Sequence, residues 1–201
     1  MWKFSVTRKA RSLLITPYQP QWVDEFRQIA TRIRTLIGQS AIRIDHIGST
    51  AVPALAAKDV IDIQISVPDL DDASGVTDRL SASGFRQRGA LQYDVVHTKP
   101  ERDPELRKLF MREPEGERRA HIHIREFGRF NQRFALLFRD YLRASGNVRA
   151  EYEFLKRRAA QLLPESIDSY LSLKDPVEHI IYEAAALWAD KVRWKPDDDY
   201  F

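Results

Sequence analysis

Cysteine is missing from the 201-residue chain. Disulfides, thiolate metal sites and a cysteine nucleophile are thereby excluded. A dominant charge is missing too. The 32 basic and 29 acidic residues leave a formal net charge of +3, so the sequence pI near 9.1 reflects a small excess and gives no strong nucleic-acid signal. No apolar run approaches the length of a membrane span, and the N-terminal stretch MWKFSVTRKARSLLITPYQPQW lacks the unbroken apolar centre of a signal peptide. Repeats and low-complexity tracts are absent. The expectation is a soluble cytoplasmic protein, one domain over residues 1–201, acting on a small molecule and not on a membrane.

Hydrophobic spacing supplies the elements. Trp22, Phe26, Ile29, Ile33 and Leu36 recur at helical intervals and predict a helix over 18–37, with Pro20 in its first turn and Gly38 at its end. Residues 41–47 and 60–67 are rich in β-branched side chains and read as strands. Asp69, Asp71 and Asp72 suit the start of a helix reaching Ser83, followed by strands at 85–88 and 92–97. Between Glu101 and Arg119, six acidic and six basic residues mingle with Pro104, Pro114 and Gly116, which predicts an exposed hairpin or loop with 107–112 as its first strand. The run RAHIHIR, 119–125, alternates, placing His121 and His123 on one face and Ala120, Ile122 and Ile124 on the other.

Beyond Gly128 the pattern is helical. Phe134, Leu137, Phe138, Tyr141 and Leu142 form one stripe, Asn147 can cap a helix to Leu163, and Asp175-Pro176 opens a last helix that buries Val177, Ile180, Ile181, Ala184, Ala185 and Trp188. The polar tail 197–201 is expected to fray.

The stretch IDHIGSTAVPALAAKDVIDIQI, residues 44–65, carries the chemistry. Gly48 lets the backbone approach a ligand closely, and Ser49 with the following amides can donate to phosphate oxygens. Asp62, alone among apolar neighbours, could hold the cation that neutralises those phosphates. An ordinary polar bend and a salt-bridged structural aspartate are the plainer alternatives.

That stretch, with PYQPQW before it and HIHI, FRDYLR and YEFLK after it, resembles the GrpB-like family over roughly residues 14–190. The resemblance implies an α+β fold: a nucleotidyltransferase-like small mixed sheet with packed helices over 14–126, and C-terminal helices over 127–190 packed on that core. It also implies a superfamily chemistry in which two carboxylates one residue apart hold metal ions for in-line transfer. This chain departs from that pattern. Gln64 stands at the second carboxylate position, and His121 and His123 fall where a third would lie.

Asp62 with His121 and His123 is therefore a two-imidazole, one-carboxylate metal set, suited to zinc or a transition metal better than to magnesium. Mg²⁺, Mn²⁺ and Zn²⁺ all remain candidates, with a nucleoside triphosphate as co-substrate. Asp62 and His123 are the candidate catalytic residues; as an alternative to metal binding a histidine serves as general base, and a hydrogen-bonded pair of strand histidines is the plainer reading. His46 either joins the cluster or orients a loop. Lys58 could reach a phosphate. Arg139 with Arg143, and Tyr152 with Lys156, share helical faces at a spacing of four and could clamp an anion, or lie on the surface. A pocket lined by Gly48, Ser49, Asp62 and at least one of the two histidines, with Arg139 or Lys156 at its rim, is expected. Three functions follow: nucleotidyl or phosphoryl transfer to a small acceptor, a catalytically degenerate ligand-binding module, or other metal-dependent chemistry at the His/His/Asp site.

Overall fold

A computed structural model describes residues 13–90, 92–197 and 201. Helix α1, Gln21–Ile37, buries Trp22, Phe26, Ala30, Ile33 and Ile37, leaving Ile29 and Leu36 at the edge of its apolar face. Pro20 begins it with a compatible φ, and Gly38, at φ 55°, ends it with its amide on the Arg34 carbonyl. Strands β1 (Arg43–Ile47), β2 (Ile61–Val67), β3 (Arg86–Gln87), β4 (Leu109–Arg112) and β5 (Ala120–Glu126) form one sheet in the order β1-β2-β5-β4-β3. β2 and β5 run parallel and the other neighbours antiparallel. Helix α2 (Ser74–Ala82) follows β2, and α3 (Phe130–Ala144), α4 (Gly146–Leu162) and α5 (Ile167–Val192) follow β5. This is the small mixed sheet with packed helices that the sequence predicts.

The two faces of the sheet differ in kind. Ile44, Ile61, Ile63, Ile65, Ile122 and Ile124 are fully buried against α1 and α2. Each contributes about 1.5–3 kcal/mol of burial, which makes this face the anchor of the fold. Because side chains alternate along a strand, Arg43, Asp45, Asp62, Gln64, His121, His123 and Arg125 point to the opposite face, where α3 approaches β1 and β5. Parallel pairing sets Asp62 opposite His121 and Gln64 opposite His123. Register alone thus carries the acidic position of β2 to the histidines of β5.

Several expectations are corrected. In 92–97 only Tyr93 pairs, in an isolated bridge to Arg107, because Asp94 turns inward to Lys108 and Arg125 while Val95 stays exposed. The charge-rich 101–119 region does supply a hairpin, β4 pairing antiparallel with β5, but its strand is not exposed: Phe110 and Met111 are buried in β4, which lies between β5 and β3. Glu113 is also buried there, accepting from Arg112 and the Ala120 amide. Helix α4 starts ahead of Asn147, at Gly146. α5 starts at Ile167, where the Ser166 side chain accepts from the Ser169 amide, and continues through Pro176. In the tail, Asp197 accepts from Arg139 and Arg143, and Phe201 exchanges two backbone hydrogen bonds with Ile44 at 2.9 and 3.0 Å. Those two residues are held, while 198–200 lie outside the described residues. Among the described residues no helix is long and apolar enough to cross a membrane.

Candidate functional site

The chain leaves β1 through Gly48, whose φ of 70° and ψ of −170° belong to a region essentially confined to glycine. A Cβ built there would lie 2.5 Å from Asp62 Oδ2 and 2.9 Å from Asp62 Cβ. Gly48 is thus the close approach that lets the turn lie on Asp62. Strain and clash together make Gly48→Ala cost about 2 kcal/mol in urea denaturation. Gly75→Ala is the control: it sits in α2 with no atom within 4 Å of an added Cβ, and should stay within about 1 kcal/mol of wild type, on the stabilising side.

Next to Gly48, three side chains converge. His121 Nδ1 stands 3.1 Å from Asp62 Oδ1, and one ligand atom from each of Asp62, His121 and His123 lies within 4.8 Å of the others. All three side chains are partly exposed, so the cluster can be reached from outside. Burial raises the Asp62 pKa, but the His121 hydrogen bond and the charges of His121 and His123 outweigh it and bring it down to about 2. Burial, then the charges of Arg125 and Lys108, push His123 well below the usual imidazole value. Its neutral ring is the form that binds metal. Phe110 walls the cluster, its ring centroid 5.4 Å from His121 and 5.0 Å from His123. Two imidazoles and one ionised carboxylate on an accessible face fit a zinc or transition-metal ion.

Gln64 does not join them. It is fully buried, its Oε1 accepts from Arg125 Nη1 at 2.7 Å, and its Nε2 donates to the Gln132 carbonyl at 3.2 Å. With both ends of the amide engaged, Gln64 positions Arg125, whose Nε also donates to Asp94 at 2.9 Å and whose Nη2 lies 3.5 Å from His123 Nδ1. Lys108 and Asn131 complete the shell around Asp94. Nothing in the local sequence announces this network, because its members are brought together by strand register and by the turn of the 92–97 segment. His46 faces the other side of the sheet, stacked on Phe26 at 4.6 Å with its Nε2 3.0 Å from Thr50 Oγ1. Burial lowers its pKa to about 3. It orients the loop and stays outside the Asp62, His121 and His123 cluster.

On the other flank of the turn, Val52 and Leu55 pack on Phe138, Leu142, Tyr152 and Ile181, which draws Ser49 onto α4. There Lys156 donates to Ser49 Oγ at 3.0 Å and to the Ala56 carbonyl at 2.6 Å, with its ammonium 4.7 Å from the centre of the Tyr152 ring. Lys156 is buried, and among the described residues no carboxylate lies within 4.0 Å of it. Burial brings its pKa down to about 7. Tyr152 donates to Glu178, which also accepts Lys174 Nζ at 2.7 Å. Lys58 lies 5.5 Å over Tyr170, and burial lowers its pKa as well. Sequence reading missed Lys174, since it began the last helix at Asp175, and Glu178, since a charged residue between Val177 and Ile180 reads as part of the polar face.

The arginines brace the turn. Arg139 is 2% exposed and donates to the His46 carbonyl at 3.0 Å, to Asp140 at 2.7 Å and to Asp197 at 3.0 Å. Arg143 donates to the Ala51 carbonyl at 3.0 Å and to Asp140 and Asp197. The two arginines hold the carbonyls on either side of Gly48-Ser49. A separate groove lies on the far side of Tyr152. At about 680 Å³ between α4 and α5, it includes Tyr152 but none of Gly48, Ser49, Asp62, His121 or His123. Phe154, Leu155, Leu162 and Leu173 make it apolar.

A GrpB protein family profile matches residues 12–184. The chain is 38% identical over 197 residues to a dephospho-CoA kinase of Mycolicibacterium paratuberculosis (strain ATCC BAA-968 / K-10), covering 90% of this chain and 48% of that protein. It spans about half the length of the curated relatives it matches first. Among solved structures, the conserved protein GrpB from Enterococcus faecalis superposes with a TM-score of 0.73 at 29% identity, over 87% of this chain and 99% of that one. A cytoplasmic RNA terminal U-transferase superposes more loosely, with a TM-score of 0.49 at 15% identity, over 79% of this chain and 47% of that one. With the profile spanning most of its length and a GrpB structure of the same fold, the chain belongs to the GrpB family.

Proposed function

We propose that the chain transfers a nucleotidyl or phosphoryl group from a nucleoside triphosphate to a small acceptor, at the junction of the Gly48-Ser49 turn, Asp62 and α4. The observation that carries this reading is Lys156: a buried ammonium with no carboxylate within 4.0 Å among the described residues, held on Ser49 in a turn that lies against Asp62. A charge buried in that way is stabilised by an anionic ligand. Ser49 and Lys156 hold the phosphates, with Lys58 nearby. Asp62, His121 and His123 hold a divalent cation, which supplies positive charge to the phosphoryl oxygens when bound. As the alternative to ligating the cation, His123, kept neutral by burial and by the charges of Arg125 and Lys108, would accept the proton of an acceptor hydroxyl.

Arg125 favours a second reading. Gln64 and Asp94 fix its guanidinium beside His123, where it puts a permanent positive charge next to the metal cluster and opposes a second divalent cation. A single-cation site that binds nucleotide without turning it over is the outcome if that charge prevails. Turnover of nucleoside triphosphates with Mg²⁺, Mn²⁺ or Zn²⁺, followed by ³¹P NMR beside calorimetric binding, separates the two readings. Dephospho-CoA belongs among the acceptors tested, because relatives of twice this length carry that kinase name. Asp62→Ala is expected to lower turnover and metal affinity by about 100-fold or more while leaving the circular dichroism spectrum unchanged. Unchanged binding in a folded Asp62→Ala protein would make Asp62 structural.

A further inference from the structure

A second cavity, of about 260 Å³, opens between residues 96–99, α3 and α5. Its walls are largely aromatic. Phe134 stacks on Tyr182 with ring centroids 4.5 Å apart and planes 16° from parallel, and Phe130 meets Tyr182 at 5.2 Å. The His179 imidazole stands edge-on to Phe134 at 6.0 Å and to His97 at 5.4 Å. Aromatic clusters in a core normally fill their own space, yet here Phe130, Phe134 and His179 are half-exposed around an open one. Polar groups stand at its rim. Lys99 lies 4.7 Å over the Phe130 ring, offering a donor, and the exposed Glu183 offers an acceptor. Burial, with repulsion from His97, keeps the His179 pKa below the usual imidazole range, so its ring is uncharged at neutral pH and suited to stacking.

A run of packed rings leads from the cavity toward the phosphate site. Phe134 stacks on Phe138 at 5.9 Å, and Phe138 meets Tyr152, the ring beneath Lys156, at 5.6 Å. Along α5, His179 follows directly on Glu178, which anchors Tyr152 and Lys174. We infer that this cavity is a base subsite: it takes the flat heteroaromatic ring of a nucleotide against Phe134, Tyr182 and His179, with Lys99 and Glu183 meeting the ring edge. The inference rests on the nucleotide reading proposed above and adds to it the part of the ligand that the phosphate site does not touch.

The test is calorimetric titration of wild type, His179→Ala, Lys99→Ala and Lys156→Met with three probes: inorganic tripolyphosphate, the four common ribonucleosides, and their triphosphates. At least one triphosphate should bind wild type about tenfold or more tighter than tripolyphosphate. A stacked base is worth on the order of 1–3 kcal/mol, or about 5- to 150-fold, so His179→Ala should weaken that triphosphate and its nucleoside by a factor in this range. Tripolyphosphate affinity should not change. Lys156→Met should show the reverse, losing tripolyphosphate while nucleoside binding persists. Lys99→Ala lies outside helix and strand and provides a second reading should His179→Ala misfold; it should weaken nucleoside and triphosphate alike. If every triphosphate binds only as tightly as tripolyphosphate, and neither cavity variant alters either, the base subsite is refuted and the phosphate site stands. If nucleosides bind through His179 while tripolyphosphate does not bind at all, the cavity assignment holds and the phosphate reading falls. Binding of no probe refutes both.

Discussion

Replacing Arg139 with methionine is expected to destabilise the protein by about 3 kcal/mol, the lower end of the range for removing one partner from a buried ion pair. The guanidinium is almost fully buried and serves the His46 carbonyl, Asp140 and Asp197 together. Without it, the His46 carbonyl loses a charged donor in a dry environment, and Asp197 keeps Arg143 at 3.2 Å and the more distant Arg43 at 3.9 Å. Asp140 retains Arg143 and the Trp194 indole, which is why the upper end of the range is not reached. For a chain of this size the melting temperature should fall by about 6–12 °C. Arg139→Lys should recover little, since one ammonium cannot reproduce a planar fork with three separate acceptors. Tripolyphosphate affinity should fall as well, because the carbonyl preceding the Gly48-Ser49 turn is no longer fixed. A melting temperature within about 2 °C of wild type would show that the arginine only covers the turn.

Stability should also rise with pH through Lys156. Its pKa in the folded protein, about 7, lies below the ordinary 10.5, because burial disfavours the charged form. Between those values the unfolded chain holds the proton and the folded chain does not. The cost of burying the charge is therefore present in full below about pH 7 and disappears as pH rises toward 10.5. Shifts of this size correspond to a few kcal/mol, to order of magnitude. Burial lowers Lys58 and Lys108 in the same direction and ion pairs raise Lys174 in the other, so the readout is the difference between wild type and Lys156→Met. The methionine variant should lose this part of the slope and bind tripolyphosphate more than about 100-fold more weakly. Bound tripolyphosphate should suppress the same part of the slope in wild type, because its charge holds the proton on the lysine. A wild-type profile parallel to that of Lys156→Met from pH 7 to 10 would mean the lysine stays charged throughout.

What the sequence made legible was local. Alternation in 119–125 and a single aspartate in an apolar strand were enough to place His121 and His123 on one face and to single out Asp62, because strand periodicity acts over two residues. The fold followed from the same rule and from the 3.6-residue stripes of α1 and α3. Partnership was not legible. A spacing of four puts Arg139 and Arg143 on one helical face, but it cannot say that Asp140 and the distant Asp197 occupy both. Gln64 looked like a weakened metal ligand because its position in the strand is fixed by sequence, whereas Arg125 and Asp94 reach it only through the sheet and a turn. Asp175-Pro176 has the chemistry of a helix start, and the helix nevertheless passes through it, held by Ser166 further upstream; Lys174 and the inward face around it were hidden by that one proline.

In the reading proposed above, Asp62, His121 and His123 together bind one divalent cation beside the turn. Calorimetric titration of Zn²⁺, Mn²⁺ and Mg²⁺ into wild type, Asp62→Ala, His121→Ala and His123→Ala tests it most directly. One site per chain is expected, tightest for Zn²⁺ and weakest for Mg²⁺, since a single carboxylate offers magnesium too few anionic oxygens without a bound phosphate. Each substitution should weaken Zn²⁺ by about tenfold or more. If Mg²⁺ alone binds wild type as tightly as Zn²⁺, and the two histidine variants match wild type for both ions, the cation is held by other groups and the His-His-Asp site is wrong.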